Sequence, residues 1–368
     1  MTGKASYVMI GGFLGAGKTT AILELAGRLH ARGLRVGLIT NDQSFGLVDT
    51  ALVQARGFAV EEITGGCFCC RFNSLVEASQ RLSLKERPDV FIAEPVGSCT
   101  DLVATVSYPL RRMYGDDFRI APLSVLVDPL RALRILGVEP GTPFSDKVLY
   151  VYRKQLEEAR VIVINKADLI SQERAAGLQD ALASQFPQAE QFVVSARART
   201  GLEPWFERIT GTEHGDERPP DVDYDLYAEG EALLGWLNCT VRLEGDRPFD
   251  GNAFLLELAR GIGGRLEQQG LEVAHLKMTL TPDEGRDIAV CNLVRRDGRA
   301  EQSHTLAEPL DSGRLILNLR AEGDPDDLRS AALESLDACA SRHAGLRREV
   351  EHVEHFRPAR PVPTYRIV

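Results

Sequence analysis

Three thiols fall within four residues, Cys67, Cys69 and Cys70, behind the glycine pair of EITGGCFCC. Such clustering suits a disulfide, a metal site or a redox sensor. Neighbouring Cys69 and Cys70 pair only with strain. The chain's seven cysteines are an odd number, and Cys99, Cys239, Cys291 and Cys339 are scattered. Thiolates are soft ligands for Zn²⁺, Cu(I) or Fe–S clusters, and Co²⁺ also takes them. A structural zinc site wants four protein ligands. This cluster offers three, an incomplete shell that suits a metal that must later leave. Glu62, upstream of the cysteines, is a candidate oxygen donor. Cys99 is a candidate to complete the shell, although a packed or exposed thiol is the plainer expectation.

A second constellation precedes it. GFLGAGKT, residues 12–19, fits G-x-x-x-x-G-K-[ST] between an apolar run and a helical pattern. Gly12, Gly15, Ala16 and Gly17 allow backbone N–H groups to curl around phosphate oxygens, with Thr20 continuing the helix start. Lys18 is expected to reach the β- and γ-phosphates and the Thr19 hydroxyl to ligate Mg²⁺. A helix N-terminus adds partial positive charge.

VINKADL supplies Asn165, Lys166 and Asp168 at the end of another apolar run. A carboxylate there accepts from N1 and N2 of guanine, a donor pair that adenine lacks, so Asp168 selects GTP. Ser195 and Ala196, after the next apolar run, fit a loop whose backbone meets the guanine O6. The Mg²⁺ needs a second anchor, and two apolar runs end in an acid, Glu94 and Asp128. Glu94 is favoured because Gly97 follows and lets a backbone N–H approach the γ-phosphate; Asp128 before Pro129 reads as a cap. NDQSFGLVD, residues 41–49, is a polar loop whose Asp42 and Asp49 are candidate contacts to Mg²⁺ and the attacking water.

These groups need a frame. Residues 7–11, 34–40, 89–94, 123–128, 159–165 and 190–195 read as strands, and 18–32 reads as a helix with Ile22, Leu25 and Leu29 on one side. The alternation implies an α/β fold, a P-loop parallel sheet with helices on both faces, over residues 1–211. GTEHGDERPPDVD is polar and carries two prolines, so 212–223 reads as a linker. Residues 224–368 read as a smaller α/β domain in the order β-α-β-β-(β)-α-β, a ferredoxin-like layer whose second helix starts at Asp324 and Pro325. HVEH at 352–355 reads as a solvated edge strand, its histidines on opposite faces. The aromatics of 224–236 read as packing between domains.

Composition narrows the function. The 368 residues carry a net charge of -10, against a nucleic-acid binder. No apolar run approaches the roughly 18 residues of a membrane span, and the motif begins too early for a signal peptide. A cytoplasmic protein with reduced thiols is expected.

In order, GGFLGAGKTT, NDQSFGLVD, EITGGCFCC, EPVG and NKAD resemble the CobW-like metallochaperone GTPases of the SIMIBI class, over about residues 8–200. The resemblance implies a guanine-nucleotide switch that holds a transition metal at Cys67, Cys69 and Cys70 and releases it to a client on hydrolysis. It places Asn41 and Asp42 where the family has Asn-Glu, with the shorter acid departing from the pattern, and matches Glu94 and Gly97 to E-x-x-G. It also implies a smaller C-terminal α/β domain. Many members carry a histidine-rich tract before that domain; here only His214 stands in the linker, which argues for a single-site chaperone rather than a metal store.

The expectation is therefore a Mg²⁺-dependent GTPase, cycling between GTP and GDP, that carries zinc, with cobalt or iron as alternatives. It delivers the metal to a client metalloprotein or cofactor-synthesis enzyme and uses no nucleic acid or membrane. Two rivals are a GTP-gated adaptor of one metalloenzyme and a thiol-redox-sensing nucleotide switch.

Overall fold

The computed structural model describes residues 4–41, 57–141, 144–215, 218–285 and 287–368. The chain divides into two compact units. One runs to Gly230 and also takes Arg360–Val368; the other is Glu231–Ala359.

In the first unit the apolar runs become strands: β1 (Ala5–Gly12), β2 (Val36–Asn41), β3 (Ala59–Ile63), β4 (Val90–Glu94), β5 (Phe118–Ile120), β6 (Ser124–Val127), β7 (Val161–Ile164) and β8 (Glu190–Val193). They form one sheet in the order β3-β2-β4-β1-β6-β7-β8, with β5 also on β1. All these pairs are parallel. Parallel strands covered on both faces read as unbroken apolar runs, and VIVI of β7 is buried throughout.

Period-2 alternation divides the cover. Val8 and Ile10 join one core with Ile22, Leu25 and Leu29 of α1 (Lys18–Ala31) and with Trp205 and Ile209 of the helix Leu202–Gly211. On the other face Tyr7 stacks on Phe91, and a Cβ at Gly37 would lie 3.2 Å from Leu82 Cδ1. Leu82 belongs to α2 (Phe72–Lys85), the helix that follows the cysteines. A π-helical turn, Val103–Ser107, leads into α3 (Tyr108–Tyr114); then come α4 (Pro129–Ile135), α5 (Asp146–Glu158), α6 (Gln172–Gln185), α7 (Leu202–Gly211) and α8 (Tyr224–Leu233). The aromatics at the start of α8 belong to this unit: Tyr227 is fully buried, and its hydroxyl accepts from Thr100 N–H at 3.2 Å. Two strands had no sequence signal. β3, AVEEI, is a partly exposed edge strand, and β5 is three residues long.

The second unit is an antiparallel sheet with two helices. Its elements are β9 (Leu234–Phe249), α9 (Gly251–Gln268), β10 (Glu272–Pro282), β11 (Ala289–Leu293), β12 (Glu301–His304), β13 (Leu310–Glu322), α10 (Pro325–Arg342) and β14 (Leu346–Phe356). The order is β12-β11-β10-β13-β9-β14. Without the β11–β12 extension, the remaining four strands take the split β-α-β arrangement of a ferredoxin-like layer. Asp324 caps α10 by accepting from Asp326 N–H at 2.9 Å, with Pro325 opening the helix. Leu258, Ile262, Leu317 and Leu336 are in its core, as are Cys239, Cys291 and Cys339, three of the four scattered cysteines. Burial pushes the thiols of Cys291 and Cys339 up to about 12. β14 is an edge strand; His352 is exposed and His355 pairs with Asp326. Among the described residues no helix is long and apolar enough to cross a membrane.

Candidate nucleotide and metal centre

β1 delivers the phosphate loop at its C-terminal end, where open parallel sheets bind ligands. Gly12 has φ +130, and a Cβ there would lie 2.4 Å from Leu126 O. Gly17 has φ +89 and heads α1, and no side chain caps the helix. The first amides of α1 therefore face the place a phosphate takes. Lys18 is folded back, its ammonium donating to Gly12 O at 2.9 Å.

Thr19 Oγ1 donates to Glu94 Oε1 at 3.0 Å, and both residues are buried. A hydroxyl and a carboxylate oxygen converging beside the phosphate loop are the hard donors that Mg²⁺ takes. The other acid, Asp128, is placed otherwise. It accepts from Arg131 N–H at 3.1 Å, capping α4, and from Lys166 Nζ at 2.9 Å. Gly97 lies flat on the phosphate loop: a Cβ there would come within 2.9 Å of Leu14 Cδ2 and 3.0 Å of Leu14 N.

The NKAD residues do different work from one another. Asn165 Nδ2 donates to Ala16 O at 2.9 Å and Asn165 Oδ1 accepts from Ala196 N–H at 3.0 Å. Lys166 takes a left-handed backbone, φ 55, and its ammonium donates to Gly15 O at 2.7 Å. Both side chains therefore tie the base loops to the phosphate loop. Asp168 lies in the short 3₁₀ turn Ala167–Leu169 with its residue exposed, open to a base. Ser195 is buried, and its Oγ accepts from Ala198 N–H at 3.0 Å, shaping the loop rather than reaching outward.

The cysteines sit on a tight turn between β3 and α2. Gly65 and Gly66 hold φ +74 and +149, which side-chain-bearing residues rarely adopt. Cys67 O accepts from the N–H groups of Cys70 and Arg71 at 3.1 and 2.9 Å, so the chain doubles back and the sulfurs converge. The Sγ separations are 2.8 Å for Cys67–Cys69, 3.2 Å for Cys67–Cys70 and 3.7 Å for Cys69–Cys70. Zn–S bonds of about 2.3 Å put tetrahedral sulfurs about 3.8 Å apart, so a small spreading of this triangle admits the ion. Cys67 and Cys69 are buried and Cys70 half-buried. Hydrogen bonds from Cys69, Cys70 and Cys99, in that order, hold the Cys67 thiol well below its ordinary range against burial. The same contact with Cys67 drives Cys69 well up and Cys70 up to about 11.

Asn41, at the end of β2, donates through Nδ2 to Ile63 O and Gly66 O at 3.0 and 2.8 Å. It braces the glycine turn of the cysteines. Asp42 and Asp49 lie outside the described residues. Among the described residues the ligand-type atoms within 4.8 Å of one another here are the three sulfurs, and Glu62 on β3 is not in that group. His214 is buried against the Tyr108 ring, its N–H bonded to Ile120 O at 2.8 Å. A second group, Glu257, Cys339 and His343, lies in the other unit. There Glu257 is already engaged by Arg342 and His343.

The C-terminal segment is the part of the site that carries no motif. Thr364 N–H donates to Cys69 O at 2.8 Å, Thr364 Oγ1 to Cys70 O at 3.1 Å, and Val362 N–H to Cys70 Sγ at 3.3 Å. Tyr365 packs edge-on to Phe72, and Arg366 pairs with the fully buried Asp101 at 2.7 Å.

The family described as CobW/HypB/UreG, nucleotide-binding domain, matches residues 6–193. The zinc chaperone CobW of Sinorhizobium sp is 29% identical over 203 residues, 50% of this chain and 56% of that protein. The zinc chaperone YeiR of Escherichia coli (strain K12) is 30% identical over 174 residues, 46% of this chain and 49% of that protein. The chain spans about half the length of these curated relatives. The crystal structure of Zn(II)-bound YjiA GTPase from E. coli aligns with 90% of this chain and 98% of its own at 14% identity, with a TM-score of 0.37. Matched over half its length, with the phosphate loop and the thiol triangle both inside the match, the chain belongs to the CobW/HypB/UreG nucleotide-binding family.

Proposed function

We propose that this protein binds and hydrolyses GTP with Mg²⁺ and uses the cycle to carry zinc at Cys67, Cys69 and Cys70 to a client metalloprotein. The observation that carries the reading is the convergence of three sulfurs on one turn, 2.8 to 3.7 Å apart, in the unit that holds the phosphate loop. Relatives named zinc chaperones support zinc over cobalt or iron. A 26% identical protein of Dictyostelium discoideum, named zinc-regulated GTPase metalloprotein activator 1, supports a client that is itself a metalloprotein.

In this reading the amides of Gly15, Gly17, Lys18, Thr19 and Thr20 hold the phosphates. Lys18 exchanges Gly12 O for the β- and γ-phosphate oxygens, where its charge stabilises the transition state. Thr19 and Glu94 hold the Mg²⁺, which supplies charge neutralisation between the phosphates. Gly97 brings its N–H toward the γ-phosphate, and Asp168 reads the guanine edge. Asp42 and Asp49 are the candidates for orienting the attacking water.

The test is a Zn²⁺ titration against a competing chelator with Mg²⁺ plus a GTP analogue, GDP or no nucleotide. We expect tighter binding with the GTP analogue, by about 5–150-fold, the usual span of coupling between sites. Cys67→Ser abolishes it. Equal affinity in every nucleotide state would leave the thiols structural or redox groups and end the carrier reading.

A further inference from the structure

Glu94 and Cys99 bound one short segment, Glu94-Pro95-Val96-Gly97-Ser98-Cys99, and its two ends face the two chemistries of the site. At one end Glu94 accepts from Thr19 Oγ1. In the middle Gly97 lies against Leu14 of the phosphate loop. At the other end the Cys99 side chain, 1% exposed, hydrogen-bonds that of Cys67. The segment is held as a unit. Cys99 N–H donates to Val96 O at 3.0 Å, and Gln155 Nε2 of α5 donates to both Gly97 O and Cys99 O, at 2.9 and 2.8 Å. A shift at the phosphate end is therefore passed to Cys99 rather than absorbed between them.

Cys99 differs from the other scattered cysteines. Cys239, Cys291 and Cys339 lie in the core of the second unit. Cys99 lies against the thiol triangle, yet outside the set whose sulfurs are all within 4.8 Å of one another. It touches one corner, Cys67. Three thiolates leave zinc with an open position; a fourth closes the tetrahedron. A closed shell retains a metal and an open one hands it on.

We propose that Cys99 is the fourth sulfur ligand of the transported metal, closing the shell when GTP is bound and withdrawing after hydrolysis. This rests on the carrier reading above. Each coordinating sulfur binds as a thiolate, four with GTP and three with GDP, and the protons displaced from those still protonated pass to solvent. Gly97 is the lever: its approach to the γ-phosphate draws the Glu94–Cys99 segment, and Cys99 moves from the corner at Cys67 over the triangle. Hydrolysis removes the γ-phosphate contact and reopens the fourth position to a client's ligand.

The experiment is zinc X-ray absorption on the full-length, reduced, zinc-loaded protein with Mg²⁺ and a GTP analogue, and again with GDP. We expect four sulfurs at about 2.3 Å in the first state and three plus a lighter atom in the second. Three sulfurs in the presence of the GTP analogue would overturn the proposal, with no mutant needed. In parallel, Co²⁺ titrations of wild type, Cys99→Ser and Cys99→Ala read sulfur-to-metal charge-transfer absorption. Both variants are expected to lose about one quarter of that absorption in the GTP-analogue state, one thiolate of four. Zn²⁺ competition should show their GTP-over-GDP preference, about 5–150-fold in the wild type, falling toward unity. Unchanged absorption and unchanged preference in both variants would leave Cys99 a packing residue. A wild type that binds neither metal would defeat the carrier reading itself, an outcome distinct from three-sulfur binding.

Discussion

Thr19 Oγ1 and Glu94 Oε1 meet at 3.0 Å, although 75 residues separate them in the chain. The contact joins the start of α1 to the end of β4, neighbouring strands of the sheet bringing the two loops together. Removing the carboxylate's charge should therefore act on chemistry more than on nucleotide binding. Glu94→Gln is expected to lower Mg²⁺-dependent phosphate release about 10²–10³-fold, the scale for losing one preorganised electrostatic group. GTP affinity measured in chelator without Mg²⁺ should change little. Hydrolysis at the wild-type rate would remove Glu94 from the Mg²⁺ site.

Asp168 is exposed at its turn while Asn165 and Lys166 are bound into the phosphate loop. The three should respond differently to substitution. Asp168→Asn is expected to weaken GTP binding about 10²–10⁴-fold, from two lost hydrogen bonds to a charged group of about 1.5–3 kcal/mol each. It should gain affinity for the xanthine nucleotide, whose O2 accepts from the new amide. Asn165→Ala should instead lower thermal stability and affinity for all purine nucleotides, because it frees Ala16 O and Ala196 N–H. Fluorescent-nucleotide titration with the three bases separates the two patterns.

The C-terminal segment Arg360–Val368 belongs with the first unit. It places one N–H on Cys70 Sγ and two donors on the carbonyls of Cys69 and Cys70. Deleting it is expected to speed Zn²⁺ transfer to a chelator by up to about 10²-fold, since one net hydrogen bond is worth roughly 1 kcal/mol and the turn loses three. Arg366→Ala tests the anchor alone. Asp101 is fully buried and would keep the Tyr224 hydroxyl, at 2.6 Å, as its partner. Breaking such a half-exposed pair should cost about 2–4 kcal/mol, short of the loss for a wholly buried one. Unchanged transfer kinetics on deletion would make the segment a bystander.

Much of this site is local, and local order is what a sequence displays. The phosphate loop lies between a strand and a helix that adjoin it in the chain, so glycine spacing and apolar periodicity expose it. The three sulfurs converge within one turn for the same reason. Glu94 and Asp128 are both strand-end acids, and the sequence favours Glu94 only through the Gly97 that follows it. What the sequence cannot display is that β4 and β6 flank β1 on opposite sides and that Asp128, besides capping α4, is held by Lys166. The sequence assigns base recognition to Asp168; that Asn165 and Lys166 bond the phosphate loop needs the third dimension. The C-terminal segment has no motif and contacts the cysteines across nearly the whole chain. β3 escaped because AVEEI, on a sheet edge, lacks the apolar run of its neighbours. In the second unit the alternation and the Asp324-Pro325 start carried the ferredoxin-like order, and the long reach of β9 did not show.

Glu158, at the end of α5, is fully buried and accepts from Thr100 Oγ1 and Val103 N–H, each at 3.1 Å. Burial pushes its carboxyl up to about 8, with the charge of Asp101 adding and hydrogen bonds from Val103, Thr100 and Leu102 opposing. At neutral pH the folded protein therefore keeps a proton that the unfolded chain, with an ordinary carboxyl near pH 4.3, has given up. Stability from this group is full below the unfolded value. It falls as pH rises through the window up to about 8, then levels off. One proton corresponds to about 1.4 kcal/mol per pH unit. Glu158→Gln removes the titration; its amide oxygen still accepts from Val103 N–H, while its NH2 donates to Thr100 Oγ1, a hydroxyl that can take either role. Urea unfolding of both proteins at several pH values between 5 and 8 should show the wild type losing stability relative to the variant by about that slope. Other titrating groups are common to both and cancel in the difference. Parallel curves would mean that Glu158 is ionised in the folded state and that its donors outweigh its burial.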